Sequence, residues 1–392
     1  MKSWVIVFVS YVVIENLAYA ALQIWLLRQR QPRFRGLEIA VFCWALLMIG
    51  LFLLQAFEPE VWKPFMRDWL YLPMGVEMVW NVLFLQILFP ATILWVLILR
   101  LLRLKARRQP VPAEGMSRRK FVYLLSYGAA PAVAVGMGVH GTLTREDLRV
   151  REFQIPIANL PPDLEGFTIA HVSDLHSGIF VGPERLKTIT DMTNDLNADF
   201  IAITGDIINH EMAEFPAALA AIQRMRSRYG MLLCEGNHDT IPGAGLVARE
   251  CRKNGLPFLF DSSQTLNVGG SRLVFGGVSW LRFYEMKDRP GIVGDLFPRR
   301  EENDVRILLA HHPDLFDIAQ EADLVLSGHT HGGQIMFGKD VGLGRVRFKY
   351  CSGLYQRDTT TMIVSNGCGD WFPCRIGAPA EIGLLRLTKA TS

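Results

Sequence analysis

Five short segments of this chain carry side chains able to bind a divalent cation or move a proton. They are Ser173-Asp174-Leu175-His176, Gly205-Asp206-Ile207-Ile208-Asn209, Gly236-Asn237-His238-Asp239, His311-His312-Pro313-Asp314 and Ser327-Gly328-His329-Thr330-His331-Gly332-Gly333. Singly each says little, since an Asp after a strand usually caps a helix and an isolated His usually sits satisfied in the interior. Together they supply carboxylate, imidazole and amide oxygen, the ligand set that hard to borderline divalent ions prefer. All nine histidines lie at or after His140, which confines metal or proton-transfer chemistry to the later part of the chain. His171, inside an apolar run, reads as a core residue, and His210 as an exposed loop residue.

What must position these segments is legible in the runs before them. Apolar, β-branched runs at 167–172, 199–204, 230–234, 272–278, 305–310, 323–326, 361–364 and 382–387 alternate with amphipathic stretches such as 183–196 and 216–228. That is the pattern of an α/β domain with a buried sheet. Each segment follows a run directly, and open α/β sheets place their sites at strand ends. Leu160-Pro161-Pro162 and the region 341–360 read as loops.

The five segments resemble the pattern of the calcineurin-like metallophosphoesterase superfamily: D-x-H, G-D-x-x-D, G-N-H-D/E, H and G-H-x-H. Ile155-Pro156-Ile157, Leu160-Pro161-Pro162 to Gly166, Gly332-Gly333-Gln334 and the tail from Arg375 to Glu381 narrow the resemblance. They are similar to the membrane-linked branch that contains bacterial phosphodiesterases and UDP-2,3-diacylglucosamine hydrolases. The resemblance covers about 150–390 and implies, over 146–392, a four-layer α/β sandwich of two mixed sheets flanked by helices. It assigns Asp174, His176 and His331 to one metal and Asn237, His311 and His329 to a second, with Asp206 bridging both. His311 is preferred to His312 because the family places its ligand directly after the apolar strand and two residues before Pro; His312 then reads as a substrate-facing ring or a neighbour of the ligands. Asn209 departs from the second acid of G-D-x-x-D, a position that orients ligands without being one.

Such a metal pair activates water and polarises a phosphoryl group for in-line attack. His238, beside Asn237 but not itself a ligand, is expected to protonate the leaving oxygen, with Asp239 either orienting that imidazole or capping the segment that follows. Mn²⁺ is the expected metal, with Fe or Zn²⁺ as alternatives. The function implied is hydrolysis of a phosphodiester or pyrophosphate bond in an envelope lipid or a nucleotide-linked substrate. The alternatives are a catalytically retired fold acting as a membrane scaffold or sensor, and a phosphoprotein phosphatase. No specific nucleic-acid binding is expected.

The first 140 residues are built differently. The formal net charge of +3 is a cancellation between +8 over residues 1–140 and −5 over the rest. Apolar stretches at 3–27, 37–56 and 70–99 each have the ~20 residues that cross a ~30 Å hydrocarbon core as a helix, and a weaker, Gly- and Ala-rich one runs from 121 to 141. The expectation is three transmembrane helices within 1–115 and a fourth within 116–145. Arg28, Arg30, Arg33 and Arg35 fill the first loop and eight Lys or Arg residues fill 100–120. By the positive-inside rule this predicts a multi-pass cell-membrane protein with its catalytic domain on the extracytoplasmic side. Ser117-Arg118-Arg119-Lys120-Phe121 resembles a twin-arginine export signal, which would make that translocase a partner. Asn16 with Glu15 reads as a helix-packing contact, and Glu77 as an interfacial residue.

Half of the residues are hydrophobic, which excludes a disordered chain, and six cysteines in 392 residues exclude a disulfide-stapled scaffold. Cys234 reads as a buried apolar residue. In an extracytoplasmic domain, Cys368 and Cys374 could close a short loop beside Trp371.

Overall fold

The structure, a computed structural model, describes residues 3–28, 35–57, 71–88, 90, 94, 130–286, 292–338 and 341–390. The chain divides into two compact units, Met1–Leu143 and Thr144–Ser392.

In the first unit the apolar sequence forms helices α1 (Ser3–Arg28), α2 (Arg35–Phe57), α3 (Tyr71–Val79) and α4 (Ala130–Leu143), with a π-helical segment, Trp80–Leu88, continuing α3. Polar side chains inside these helices turn toward one another. Asn16 Nδ2 donates to Asn81 Oδ1 at 2.9 Å, Trp80 Nε1 donates to Asn16 Oδ1 at 3.3 Å, and Asn81 donates to Glu77. Asn16 therefore packs helices together as expected, whereas Glu77 is buried and not interfacial. Tyr19 meets Trp80 and Phe84 edge-on, both at 5.4 Å between centroids.

No helix among the described residues is long and apolar enough to cross a membrane. This overturns the expected transmembrane region, and with it the multi-pass placement that put the second unit on the extracytoplasmic side. The physical reasons are local. The third apolar stretch changes from α to π geometry at Trp80. Of the fourth stretch, the described part is the 14-residue helix Ala130–Leu143. Asn16 in α1, Glu77 in α3 and Asn81 in the π-helical segment serve internal hydrogen bonds. The basic region 100–120 and the segment Ser117–Phe121 lie outside the described residues.

In the second unit the strands are β1 (Leu148–Ile157), β2 (Thr168–Val172), β3 (Phe200–Thr204), β4 (Met231–Cys234), β5 (Ser262–Val268), β6 (Ser271–Gly277), β7 (Asp304–Leu309), β8 (Leu324–Ser327), β9 (Met336–Gly338), β10 (Val341–Gly342), β11 (Gly353–Arg357), β12 (Thr360–Val364) and β13 (Ala380–Lys389). One sheet has the order β1-β13-β2-β3-β4, the other β11-β12-β8-β7-β6-β5, and β9 and β10 pair separately. Both large sheets are mixed: β2, β3 and β4 run parallel with β13 antiparallel to β2, and β6, β7, β8 and β12 run parallel with antiparallel partners at each edge. Strands such as Phe200–Thr204 and Asp304–Leu309 are buried along their length, as strands covered on both faces must be.

Three cores fill the gaps between four layers. Between the sheets, Phe200 stacks on Phe275 with centroids 4.5 Å apart, among Leu232, Ile307, Leu326 and Leu385. On the outer face of the first sheet lie helices α5 (Pro183–Asp195), α6 (Phe215–Ile222) and α7 (Leu246–Lys253), which bury Leu186, Ile189, Ala218, Ile222 and Val247 against it. Beyond the second sheet, Val274, Leu308, Val325 and Met362 pack against Phe283, Val293 and Phe316. The expected four-layer α/β sandwich is present in this unit. Two short helices, α8 (Trp280–Met286) and α9 (Leu343–Arg347), sit in loops, and α9 with β11 occupies a region that reads as loop in the sequence. Cys368 and Cys374, which could close a short loop in an extracytoplasmic domain, are both buried free thiols here.

Candidate metal centre

The candidate residues stand at the ends of β2, β3, β4, β7 and β8, where the chain leaves each sheet in unusual backbone geometry. Asp174, His176, Asp206, His329 and His331 all have left-handed φ, between 45° and 72°. An L-residue held there costs of order 1–3 kcal/mol, and such strain collects at functional sites. Two glycines make the close approach of these loops feasible. A Cβ on Gly236 would lie 2.2 Å from the amide nitrogen and Oδ1 of Asp206, and one on Gly328 would lie 1.9 Å from Ser173 Oγ and 2.3 Å from Asp174 Oδ2.

The seven nominated ligand side chains come together in two groups around Asp206. In the first, His176 Nε2 lies 3.0 Å from His331 Nε2, and His331 Nε2 lies 3.3 Å from Asp174 Oδ1. In the second, Asn237 Oδ1 lies 2.7 Å from His329 Nδ1 and 3.2 Å from His311 Nε2. Asp206 Oδ2 stands between them, 3.4 Å from His176 Nε2 and 3.2 Å from His311 Nε2. His311 belongs to the cluster and His312 does not. The His312 ring stacks on Phe283, 4.2 Å between centroids, and its Nδ1 accepts from the Asp314 amide.

Neighbouring groups set the directions of these side chains. His311 Nδ1 donates to Thr204 O at 2.6 Å, which turns Nε2 toward the carboxylates. The His329 amide donates to Asp174 Oδ1 at 3.0 Å and the His238 amide to Asp206 Oδ1 at 2.8 Å. Asp239, expected to orient the His238 ring or cap a helix, does neither. Its buried carboxylate accepts from the amides of Ile207, Ile208 and Gly236 and so ties the β3 and β4 loops together. Orientation of His238 passes to Asn209, whose backbone carbonyl accepts from His238 Nδ1. The Asn209 amide group reaches the neighbouring His210 ring at 2.8 Å. His210 is exposed, and His171 is buried with Nε2 against Thr204 Oγ1 at 2.8 Å; burial pushes its pKa down to about 3.

Electrostatics suit a cation. Burial, then the charge of Asp206, hold Asp239 up at about 7; burial chiefly raises Asp174 to about 6 despite the pull of His311. Asp206 is also desolvated, but the imidazoles of His311, His238 and His176 outweigh that and hold it ionised well below the usual carboxylate range. Burial and neighbouring cations hold His176, His329 and His331 neutral, which is the ligating form of imidazole. Burial opposes a charge on His311, yet Asp206 and Asp174 raise it to about 9. Among the described residues no hydrogen-bond partner reaches the buried His176 Nδ1. Converging carboxylates, imidazole nitrogens and one amide oxygen form a donor set that fits divalent cations.

Sequence reasoning overlooked Arg375 as an individual residue. It is 2% exposed, pairs with Asp370, donates to the carbonyls of Asn366, Gly369 and Ala378, and brings Nη2 to 3.3 Å from His331 Nδ1. Its signal was present in the tail that begins with it, but nothing there tied a distant Arg to the β8 loop. Trp280 was missed as well. It lies 5.1 Å from the His329 ring and 5.9 Å from that of His311.

A cluster of this make-up at the strand ends of two facing mixed sheets defines a metal-binding α/β protein, and comparison with known proteins says of which family. The family model of the calcineurin-like phosphoesterases matches residues 167–333. The Bacillus subtilis metallophosphoesterase YkuE is 31% identical over 293 residues, covering 71% of this chain and 99% of its own length. A Helicobacter pylori metallophosphoesterase is 30% identical over 250 residues, 61% of this chain and 64% of its own length. A Bos taurus protein named as a transmembrane protein with a metallophosphoesterase domain is 31% identical over 257 residues, 62% of this chain and 57% of its own length. The chain thus spans less than two thirds of the last two relatives. It belongs to the calcineurin-like phosphoesterase family.

Proposed function

We propose that this protein is a metal-dependent phosphoesterase that hydrolyses a phosphodiester or pyrophosphate bond, with Asp174, His176 and His331 holding one divalent ion, Asn237, His311 and His329 a second, and Asp206 shared between them. Mn²⁺ is the first choice of metal, with Fe and Zn²⁺ also suited to the donor set. The observation that carries this reading is the position of Asp206 Oδ2, within 3.4 Å of an imidazole from each group. When bound, the two ions supply a nucleophile at neutral pH and neutralise charge on the phosphoryl oxygens.

The chain's own residues do the rest. Thr204 O fixes the His311 ring, and the amide of His238 holds one oxygen of Asp206 so that the other faces the cluster. His238, partly exposed at the rim, acts on the leaving oxygen. As an imidazolium it has two N–H donors; Asn209 O takes that of Nδ1, which leaves Nε2–H for the leaving group.

Hydrolysis of bis-p-nitrophenyl phosphate by the full chain tests this. Turnover should vanish after chelation and return with Mn²⁺. No turnover with Mn²⁺, Fe²⁺ or Zn²⁺ would overturn the reading.

A further inference from the structure

Beside Asn237 and His329 lies a cavity of about 430 Å³, within the size range of small-molecule sites, and Trp280, Tyr284, Arg347 and Phe348 are among its walls. None of these four takes part in the hydrolysis described above. Trp280 and Phe348 both meet the His329 ring, with centroids 5.1 and 5.5 Å away, and Tyr284 stands edge-on to Trp280 at 5.6 Å. The Arg347 guanidinium lies over the Phe348 ring at 5.7 Å. Tyr284 is 53% exposed. The α8 wall is anchored at its base. Buried Glu235 accepts from the Trp280 amide at 3.1 Å, and Asp261 accepts from the Ser279 amide at 2.9 Å and its hydroxyl at 2.8 Å. An anchored aromatic wall that shares a cavity with a second ring, a guanidinium and the candidate ligands Asn237 and His329 has the chemistry that stacks a planar ring.

We propose that this cavity is a subsite for a planar aromatic ring carried by the substrate, stacked against Tyr284 and Phe348 while its phosphate reaches the cluster. The inference rests on the hydrolytic reading above and narrows its substrate class to phosphoesters that bear a ring of nucleobase or aryl kind. Arg347 then faces the ring or a neighbouring phosphate oxygen.

The test uses the full chain with Mn²⁺ and three methyl esters read by ³¹P NMR: thymidine 5′-methyl phosphate, phenyl methyl phosphate and dimethyl phosphate. At least one ring-bearing ester should show a KM about tenfold below that of dimethyl phosphate, the size expected when one ring stacks on one aromatic side chain. A lower KM for the thymidine ester identifies a nucleobase as the ring; a lower KM for the phenyl ester identifies an aryl group. In Tyr284→Ala and Phe348→Ala that KM gap should close. Equal KM values for all three esters in the unaltered chain, or a gap that survives both substitutions, would overturn the subsite. Loss of turnover on every ester with every metal would instead remove the hydrolase reading. Calorimetric titration with thymidine 5′-monophosphate and with phenyl phosphate then decides the subsite by itself: binding weakened about tenfold by either substitution supports it, and equal binding by all three chains overturns it.

Discussion

The two halves of the cluster are built to different ends. Asp174, His176 and His331 are sealed, none more than 2% exposed, and Arg375 stands behind His331 with its donors committed to carbonyls and to Asp370. Across Asp206, His311 is buried too, but Asn237 and His329 are partly exposed and line a cavity, with His238 at the rim. One half is fixed by hydrogen bonds that no substrate can reach. The other shares its surface with aromatic side chains. A centre so divided can hold ligand geometry on the closed side while leaving approach and departure to the open side.

The largest expected effect tests whether Asp206 joins the halves. Asp206→Asn keeps the shape and removes the shared charge. Metal stabilisation worth several kcal/mol corresponds to roughly a 10³-fold fall in kcat/KM. Native mass spectrometry should show fewer than two bound metal ions; a variant that keeps both ions and full activity breaks the division around Asp206. Next in size is His238→Ala, expected to lower kcat by about 10²-fold, with a larger loss for alkyl than for p-nitrophenyl leaving groups. This change sharpens the comparison, because His238 also lies within ligand reach of His176 and Asp206. A proton donor at the open rim leaves metal content unchanged, whereas a ligand would take an ion with it.

What was legible in the sequence follows the same line between sealed and open. The buried strands announced themselves as continuous apolar runs, and the ligand residues stood immediately after them, so β2, β3, β4, β7 and β8 and their loops could be read directly. The three strands of the large sheets that escaped notice, β1, β5 and β11, are all edge strands. Arg149, Arg151 and Glu152 in β1, and Ser263, Gln264 and Asn267 in β5, are the kind of polar residues that keep a free edge from pairing with another chain, and they hide the strand period. Asp239 misled because a carboxylate beside a catalytic candidate looks like its partner; only the folded loops show it serving three amides. The apolar helices misled in another way. Hydropathy records how apolar a stretch is, not whether its Asn and Glu residues find partners on a neighbouring helix, as Asn16 finds Asn81.

The closed half can be loosened from behind. Arg375→Met keeps the length of the side chain but takes its ion-pair partner from the buried Asp370 carboxylate, leaving the longer pair with Arg145 at 3.7 Å. Residues that orient metal ligands typically control 10–100-fold in metal affinity or activity, and leaving one partner of a buried pair costs about 3–5 kcal/mol. The expected outcome is a chelator titration midpoint shifted by about tenfold to lower chelator, with a lowered Tm. Arg375→Lys should recover part of the stability and less of the metal affinity, since an ammonium cannot reproduce the fork that serves four carbonyls and a carboxylate. Unchanged metal affinity in Arg375→Met would show that the closed half needs no such support.

The smallest effect concerns the segment that carries the open wall. Lys349 Nζ, Tyr350 Oη and Arg357 Nη2 donate to Asp317 Oδ1 at 2.8, 2.7 and 2.6 Å, pinning the residues after Phe348 to the 313–318 turn. Burial pushes the Asp317 carboxyl up, but these three hydrogen bonds outweigh it and its pKa is lowered. A carboxyl depressed in the folded state adds stability that is whole above its unfolded value near 4 and is lost as pH falls through the lowered folded value. Because Asp317 is about one-third exposed, solvent screens much of the gain and the effect is small. Between pH 5 and pH 3 the Tm of the unaltered chain should therefore fall by about 2 °C more than that of Asp317→Asn, whose amide has no charge to lose. Taking the difference between the two chains cancels the titration of the metal ligands, which both share. Equal falls would mean that the wall beside Phe348 is held by packing, through Tyr350 on Phe316, and not by charge.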